Sequence, residues 1–285
     1  MTTHALTRRT IGAYEVAIAT GAGPRIVDFR RPGGGAVFAD LGDHGIASEA
    51  GWFSFIGGHR LWAAPEVPGL TYAPDDDPVV IETDGSDVVV QAAPGPLLAK
   101  SIRMSPVDDR LIVTHTLRND GASTMAVAAW AITQLAVGGT AILPLADTPR
   151  DPHGLQAADV VVRWPYTPLD APELRWLPDR IEVDASDRPD KVKLGTSNPR
   201  GWLAYRLGDE TFVKWAEPPY PGDRHADLGA AAQCFRDDRF LELETLGPLT
   251  TLEPGDSTSH VEVWAMLDGT ADMTAIDAAM RGGLA

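Results

Sequence analysis

Residues 100–135 read KSIRMSPVDDRLIVTHTLRNDGASTMAVAAWAITQL. Three apolar runs, Lys100–Met104, Arg110–Leu117 and Met125–Thr133, are separated by the turn clusters PVDD and RNDG. Short apolar runs bounded by Gly, Pro, Asn and Asp read as strands joined by turns. Side chains alternate along a strand. Leu111, Val113, His115 and Leu117 therefore share one face, with Ile112, Thr114 and Thr116 on the other. Asn119-Asp120-Gly121 reads as a second hairpin turn, leading into Met125–Leu135.

The same grammar continues in both directions. Tyr14–Ala19 and Arg25–Phe29 flank a Gly-Ala-Gly-Pro turn and predict a hairpin. Val79–Thr83, Val88–Ala92, Val160–Arg163, Gly201–Leu207, Thr211–Trp215, Phe240–Leu246 and His260–Met266 are further short β-type runs. DDDP, DGSD, PGP, RLGDE and EPGD punctuate them. Only Ala271–Arg281 fits a helix, with Gly282-Gly283 as its C-cap. No strand–helix alternation argues for a parallel sheet, and no low-complexity linker divides the chain. The expectation is an all-β antiparallel sandwich forming a single domain over residues 1–285. The 28 Gly and 23 Pro supply its many turns.

Charge and composition remove several function classes. Lys and Arg number 24 and Asp and Glu 40, a net charge of −16. Nucleic acid and anionic membrane faces need clustered cations, so neither is expected as a partner. The single Cys234 excludes an intramolecular disulfide framework and a cysteine-based zinc site. There is no HExxH motif, EF-hand loop, Walker A sequence or G-x-S-x-G elbow, so no metal or cofactor is expected. The most apolar run, residues 124–137, is too short to span a membrane. MTTHALTRRTIGAYEV lacks a signal-peptide core. The expectation is a cytoplasmic protein, monomeric or homodimeric, whose partner is a small molecule.

Eight Trp outnumber seven Phe and five Tyr, and two of them lie in GWFSFIGGHRLWAAPEVP, residues 51–68. That segment also holds His59, Arg60 and Glu66 after a Gly-Gly pair, beside Trp62. Glycine lets backbone turn or approach a ligand closely. Sugars present a C–H-rich face and a rim of hydroxyls, which an indole face and a guanidinium fork match. The alternative is a loop whose Trp residues cover core while Arg60 pairs with a surface carboxylate. Glu242 and Glu244 sit in a largely apolar strand, where a carboxylate is costly unless paired or used. Burial would raise the pKa toward a general-base range. The competing reading is an outward charge on an edge strand. His115, on an apolar face, is most simply a hydrogen-bonded core histidine. Lys193 and Lys214 are candidate ligand donors, though surface lysine is the commoner case. On the last strand, His260, Glu262 and Trp264 share a face.

The C-terminal stretch FLELETLGPLTTLEPGDSTSHVEVWAM, residues 240–266, resembles the galactose mutarotase-like (aldose 1-epimerase) superfamily: a strand ending L-E-T, a Pro-containing loop, an L-x-P-G turn and a final strand. Ile56–Leu61, IGGHRL, is similar to that family's Gly-rich N-R-I segment, with His59 where Asn is usual. GGHRLWAAPE and ELETLGP are closer still to an uncharacterised bacterial branch. The resemblance runs from about residue 12 to residue 267 and implies an antiparallel β-supersandwich that binds carbohydrate in a concave groove. It places the family's general base on Glu244 and a substrate-orienting arginine on Arg60. The family's acid histidine lies in an H-x-Y-F-N-L segment. Here WAITQL puts Trp130 at that position and leaves the Gln134 amide near the Asn position. His59 or His115 would then have to supply the acid from a neighbouring strand.

Three readings follow. The first is an aldose 1-epimerase-like isomerase with Glu244 as base, His59 as acid and Arg60 as clamp. Trp62, Glu66, His115, Trp130, Gln134, Lys193, Lys214, Glu242 and Trp264 would then line the substrate. The second is a lyase or isomerase that abstracts a proton alpha to a carbonyl on the same scaffold. The third is a non-catalytic sugar-binding module.

Overall fold

The computed structural model describes residues 5–147, 151–186, 188–220 and 222–281. Among them, strands form two antiparallel sheets, one of 11 strands and one of 10. The larger runs Leu6–Ile11, Tyr14–Ala19, Arg25–Arg30, Gly51–Ala64, Met125–Ala136, Phe240–Leu246, Ala232–Arg236, Val192–Thr196, Val161–Arg163, with Asp40–Ser48 and Thr250–Leu252 paired at its side. The smaller runs Leu174–Leu177, Arg180–Asp184, Thr140–Pro144, Trp202–Leu207, Glu210–Ala216, Ser257–Asp268, Arg110–Asn119, Leu98–Val107, Asp87–Gln91, Val80–Asp84. No helix among the described residues is long and apolar enough to cross a membrane.

The core lies between the sheets. Leu61, Ala129, Leu243 and Leu194 from the larger sheet join Val113, Tyr205, Phe212 and Trp264 from the smaller in one buried cluster. The alternate residues point outward. On the larger sheet Trp62, Trp130, Ile132 and Leu246 are covered by Phe53 and Ala226. On the smaller sheet Trp202, Val213 and Trp215 are covered by Ile276 and Met280 of the helix Met273–Met280. Asp272 caps that helix by accepting from the Ala275 amide at 2.8 Å; the expected Gly282-Gly283 cap lies outside the described residues.

The expected Tyr14–Arg30 hairpin is present, with a bulge between Ala17 and Ile18. The Asn119–Gly121 turn is not a hairpin. Leu98–Val107 pairs with Arg110–Asn119 in the smaller sheet, whereas Met125–Ala136 is central in the larger one, so this turn carries the chain between layers. The buried Asn119 amide ties it down by donating to Ser123 O at 2.9 Å and Leu252 O at 3.0 Å.

A second finding concerns residues 51–68. Gly51–Ala64 is a strand, not a loop. The Gly-Gly pair lies inside it, with Ile56, Gly57 and Gly58 at φ 61°, 101° and 68°. A Cβ on Gly58 would stand 2.3 Å from Ile26 O, and one on Gly57 1.9 Å from Ala39 O. These glycines let the strand kink between Arg25–Arg30 and the 38–40 segment before straightening into His59–Ala64. Gly58→Ala is expected to cost on the order of 3 kcal/mol from strain and overlap. A thermal melt reads this directly; an unchanged midpoint would show that the backbone absorbs the methyl.

Candidate functional site

Strand register assembles the site. Residues directly opposite in an antiparallel pair point to the same face. Trp62, Trp130 and Leu246 form one row across three strands. Arg60, Ile132, Glu244 and Gln233 form the next. Gln134, Glu242, Phe235 and Lys193 form a third. All three rows lie on the outer face of the larger sheet, and Phe240–Leu246 is an interior strand of that sheet rather than an edge.

Two carboxylate–cation pairs sit at its centre. Glu242 Oε1 accepts from Arg60 Nη2 at 2.8 Å and from Gln134 Nε2 at 3.0 Å. The Arg60 guanidinium lies over the Trp62 ring, 4.0 Å from its centroid. Glu244 Oε2 accepts from Trp130 Nε1 at 2.8 Å and from Lys193 Nζ at 3.1 Å. The Lys193 ammonium sits against two indoles, 4.9 Å from the Trp130 centroid and 4.8 Å from that of Trp164. Glu244 is completely buried. Desolvation pushes its carboxyl up to about 7; the charge of Glu242 adds to this, and Lys193 and the Trp130 hydrogen bond oppose it. A carboxyl in that range is poised to take and return a proton near neutral pH.

Several buried polar atoms on this face have no hydrogen-bond partner among the described residues. They are Glu244 Oε1, Arg60 Nε and Nη1, Trp62 Nε1, Gln134 Oε1 and Gln233 Oε1. Buried polar groups are nearly always satisfied, so a cluster of unpartnered donors and acceptors on one face marks this as the candidate site. Tyr166 is near enough to feel the site's charge: burial and the charges of Glu244, Glu66 and Glu242 raise its hydroxyl pKa. Glu66 lies beyond the end of the Gly51–Ala64 strand and accepts from the Tyr72 hydroxyl at 2.6 Å.

Four of the residues expected at this site are elsewhere. His59 follows Gly58 and precedes Arg60 in one strand, so it points to the opposite face, between the sheets. There it meets His115, Lys214 and Trp264 from the smaller sheet, all completely buried. The pairing of His59 with Glu244 as acid and base is therefore corrected. His115, Lys214 and Trp264 likewise face the core, and none of the four lines the outer face.

The interior cluster is a closed hydrogen-bond network. His115 Nδ1 faces the His260 carbonyl at 3.1 Å and must carry its proton. His115 Nε2 then accepts from His59 Nε2 at 2.6 Å, and His59 Nδ1 accepts from the Thr133 hydroxyl at 2.9 Å. At the other end the Thr245 hydroxyl donates to Glu262 and accepts from His260 Nε2 at 2.7 Å. Trp264 Nε1 donates to Glu262 Oε2 at 2.8 Å. Lys214 Nζ reaches Glu262 Oε1 at 2.6 Å, the carbonyls of Ala131 and Leu243 at 3.2 Å each, and Thr133 Oγ1 at 3.3 Å. Burial pushes Glu262 up, but the charge and hydrogen bond of Lys214 lead the opposing causes, and the carboxyl stays below its usual range. The ligand atoms of His59, His115 and Glu262 lie within 4.8 Å of one another, a donor set of metal-binding type. The Lys214 ammonium already fills the cation's place against Glu262, so the cluster reads as structural.

Each imidazole in this network is neutral, and burial is the largest cause. His115 is pushed down to about 4, His260 to about 3, and His59 also falls well below its ordinary value. Unfolding frees all three to protonate near pH 6.5. Their contribution to stability is therefore complete above pH 6.5 and is lost as pH falls toward 4 and 3. Glu244, with its raised pKa, works in the opposite sense and offsets one of them. A denaturant midpoint that drops between pH 7.5 and pH 5 is expected, at about 1.4 kcal/mol per pH unit for each uncompensated histidine. A midpoint that does not move would show that the histidines are charged in the fold.

The sequence reading missed Trp164, Tyr166 and Gln233. Trp164 directly follows the strand Val161–Arg163, and the unexplained tryptophan excess was the one available hint.

No protein-family model matches this sequence, and no curated protein matches it either. Solved structures do. A galactose mutarotase-like protein from Lactobacillus casei superposes with TM-score 0.60 at 12% identity, over 92% of this chain and 100% of that one. The fold is that of the galactose mutarotase-like proteins. A candidate aldose 1-epimerase from Escherichia coli K12 gives TM-score 0.55 at 14% identity, over 93% and 100% of the two chains. A galactose mutarotase-like protein from Clostridium acetobutylicum gives 0.54 at 10% identity, over 94% and 96%.

Proposed function

We propose that this chain is a sugar epimerase of the aldose 1-epimerase type, acting through Glu244 on the outer face of its larger sheet, with the whole chain working as one unit. The observation that carries the reading is Glu244 itself, a buried carboxylate with one oxygen anchored by Trp130 and Lys193 and the other without a hydrogen-bond partner. Its unpartnered Oε1 accepts the proton of an anomeric hydroxyl. Arg60, Trp62 and Gln134 hold unpartnered donor and acceptor atoms for the remaining hydroxyls. Glu242 and Glu244 are each matched by a cation, so the site has no excess of either charge and suits a neutral sugar.

Exchange NMR tests this by measuring the interconversion of α and β anomers of unmodified aldoses with and without the protein. Acceleration of at least one is expected. Uncatalysed rates across D-glucose, D-galactose, D-mannose, D-xylose and L-arabinose would remove the reading.

A further inference from the structure

The epimerase reading leaves the acid unassigned. Trp130 stands where the resemblance puts an acid histidine, and an indole N–H donates a hydrogen bond without giving up its proton. His59 and His115 are on the wrong face and locked into a neutral network.

We infer that Lys193 is the proton donor of this site, working beside Glu244 as one half of a lysine–glutamate pair; the inference rests on the epimerase reading above. Geometry carries it. Mutarotation moves one proton off the anomeric oxygen and another onto the ring oxygen, and both oxygens are bonded to the same carbon. Base and acid must therefore sit side by side. Lys193 Nζ is 3.1 Å from Glu244 Oε2, so the ammonium and the unpartnered Oε1 are neighbours on one carboxylate. An ammonium has three N–H bonds, and among the described residues one is used, on Glu244. Trp130 and Trp164 hold the ammonium by cation–π contact from two elements and shield it from water.

The step balances. Glu244 Oε1 takes the proton of the anomeric hydroxyl, its oxygen forms the carbonyl, and the bond from that carbon to the ring oxygen breaks. The ring oxygen takes a proton from Lys193, which becomes a neutral amine beside a neutral carboxylic acid. After rotation about the adjacent carbon–carbon bond, the hydroxyl attacks the other face. Its proton returns to Lys193, and the proton on Glu244 returns to the new anomeric oxygen. No charge accumulates and no other reagent is needed.

The test separates proton donation from positioning. Lys193→Arg keeps the cation and the carboxylate contact but supplies no proton at neutral pH. Exchange NMR with the aldose that the wild type turns over is expected to show kcat lowered about 10²–10⁴-fold with KM nearly unchanged. Lys193→Ala opens a slot between the two indoles. Methylammonium is expected to restore its activity, and guanidinium, a cation that gives up no proton, is not. Near-wild-type turnover by Lys193→Arg, or equal rescue by guanidinium, would make Lys193 a positioning charge and overturn the inference while leaving the epimerase reading intact. A wild type that accelerates none of the five aldoses overturns both. If Lys193→Ala does not fold, Lys193→Arg decides alone.

Discussion

Glu244→Gln is expected to lower anomer exchange about 10²–10⁴-fold, because the amide keeps the shape of the carboxylate but cannot accept the proton. Sugar binding, read by quenching of the site tryptophans, should persist. Activity should also report the environment of Glu244. Burial raises its carboxyl to about 7, and the base form is the ionised one. Thus kcat/KM of the wild type should climb from pH 5 through pH 7 and then level. An ordinary exposed glutamate would already be ionised at pH 5.5, and its profile would be flat there. Retained turnover in Glu244→Gln would remove Glu244 from the chemistry. Retained binding with no wild-type turnover on any sugar would instead favour a binding module.

The largest stability effect should come from the opposite face of the same strands. Lys214 and Glu262 are both completely buried and 2.6 Å apart. Removing one partner of a buried pair strands the other charge at a cost of about 3–5 kcal/mol. Lys214→Met also removes the donor that reaches the Ala131 and Leu243 carbonyls of the two central strands. For a chain of this size the melting temperature should fall on the order of 10 °C. The double variant Lys214→Met with Glu262→Gln no longer leaves a lone charge and should melt above the single variant. Equal melting of the two would mean that lost packing, not the uncompensated carboxylate, sets the cost.

The interior network and the outer site share strands but not faces, and this is where reading the sequence worked and where it failed. Alternation in Arg110–Leu117 put His115 among core residues, and it is in the core. Alternation in Phe240–Leu246 put Glu242 and Glu244 together, and they are together. The same rule would have separated His59 from Arg60, since neighbours in a strand cannot share a face. The Gly57-Gly58 pair hid this, because it left open whether the backbone turns there or runs on as a strand. Glycine in a strand marks a bend as readily as it marks a turn, and only the close passage of Ile26 and Ala39 shows which is meant.

The sequence by itself determined the class of fold, the turns, and the strand that carries the two glutamates, because these follow from local periodicity and turn chemistry. It also supplied the resemblance that the superposed structures support at the level of fold. Only the tertiary structure decided which face each residue serves and which strands adjoin. Arg60 reaches Glu242 across 182 positions and Lys193 reaches Glu244 across 51. Whether a buried charge is structural or poised for chemistry depends on its partner. Lys214 is fully engaged against Glu262 and backbone, whereas Glu244 keeps one oxygen unpartnered. That partner is set by inter-strand register, which the hydrophobic pattern of any single strand does not contain.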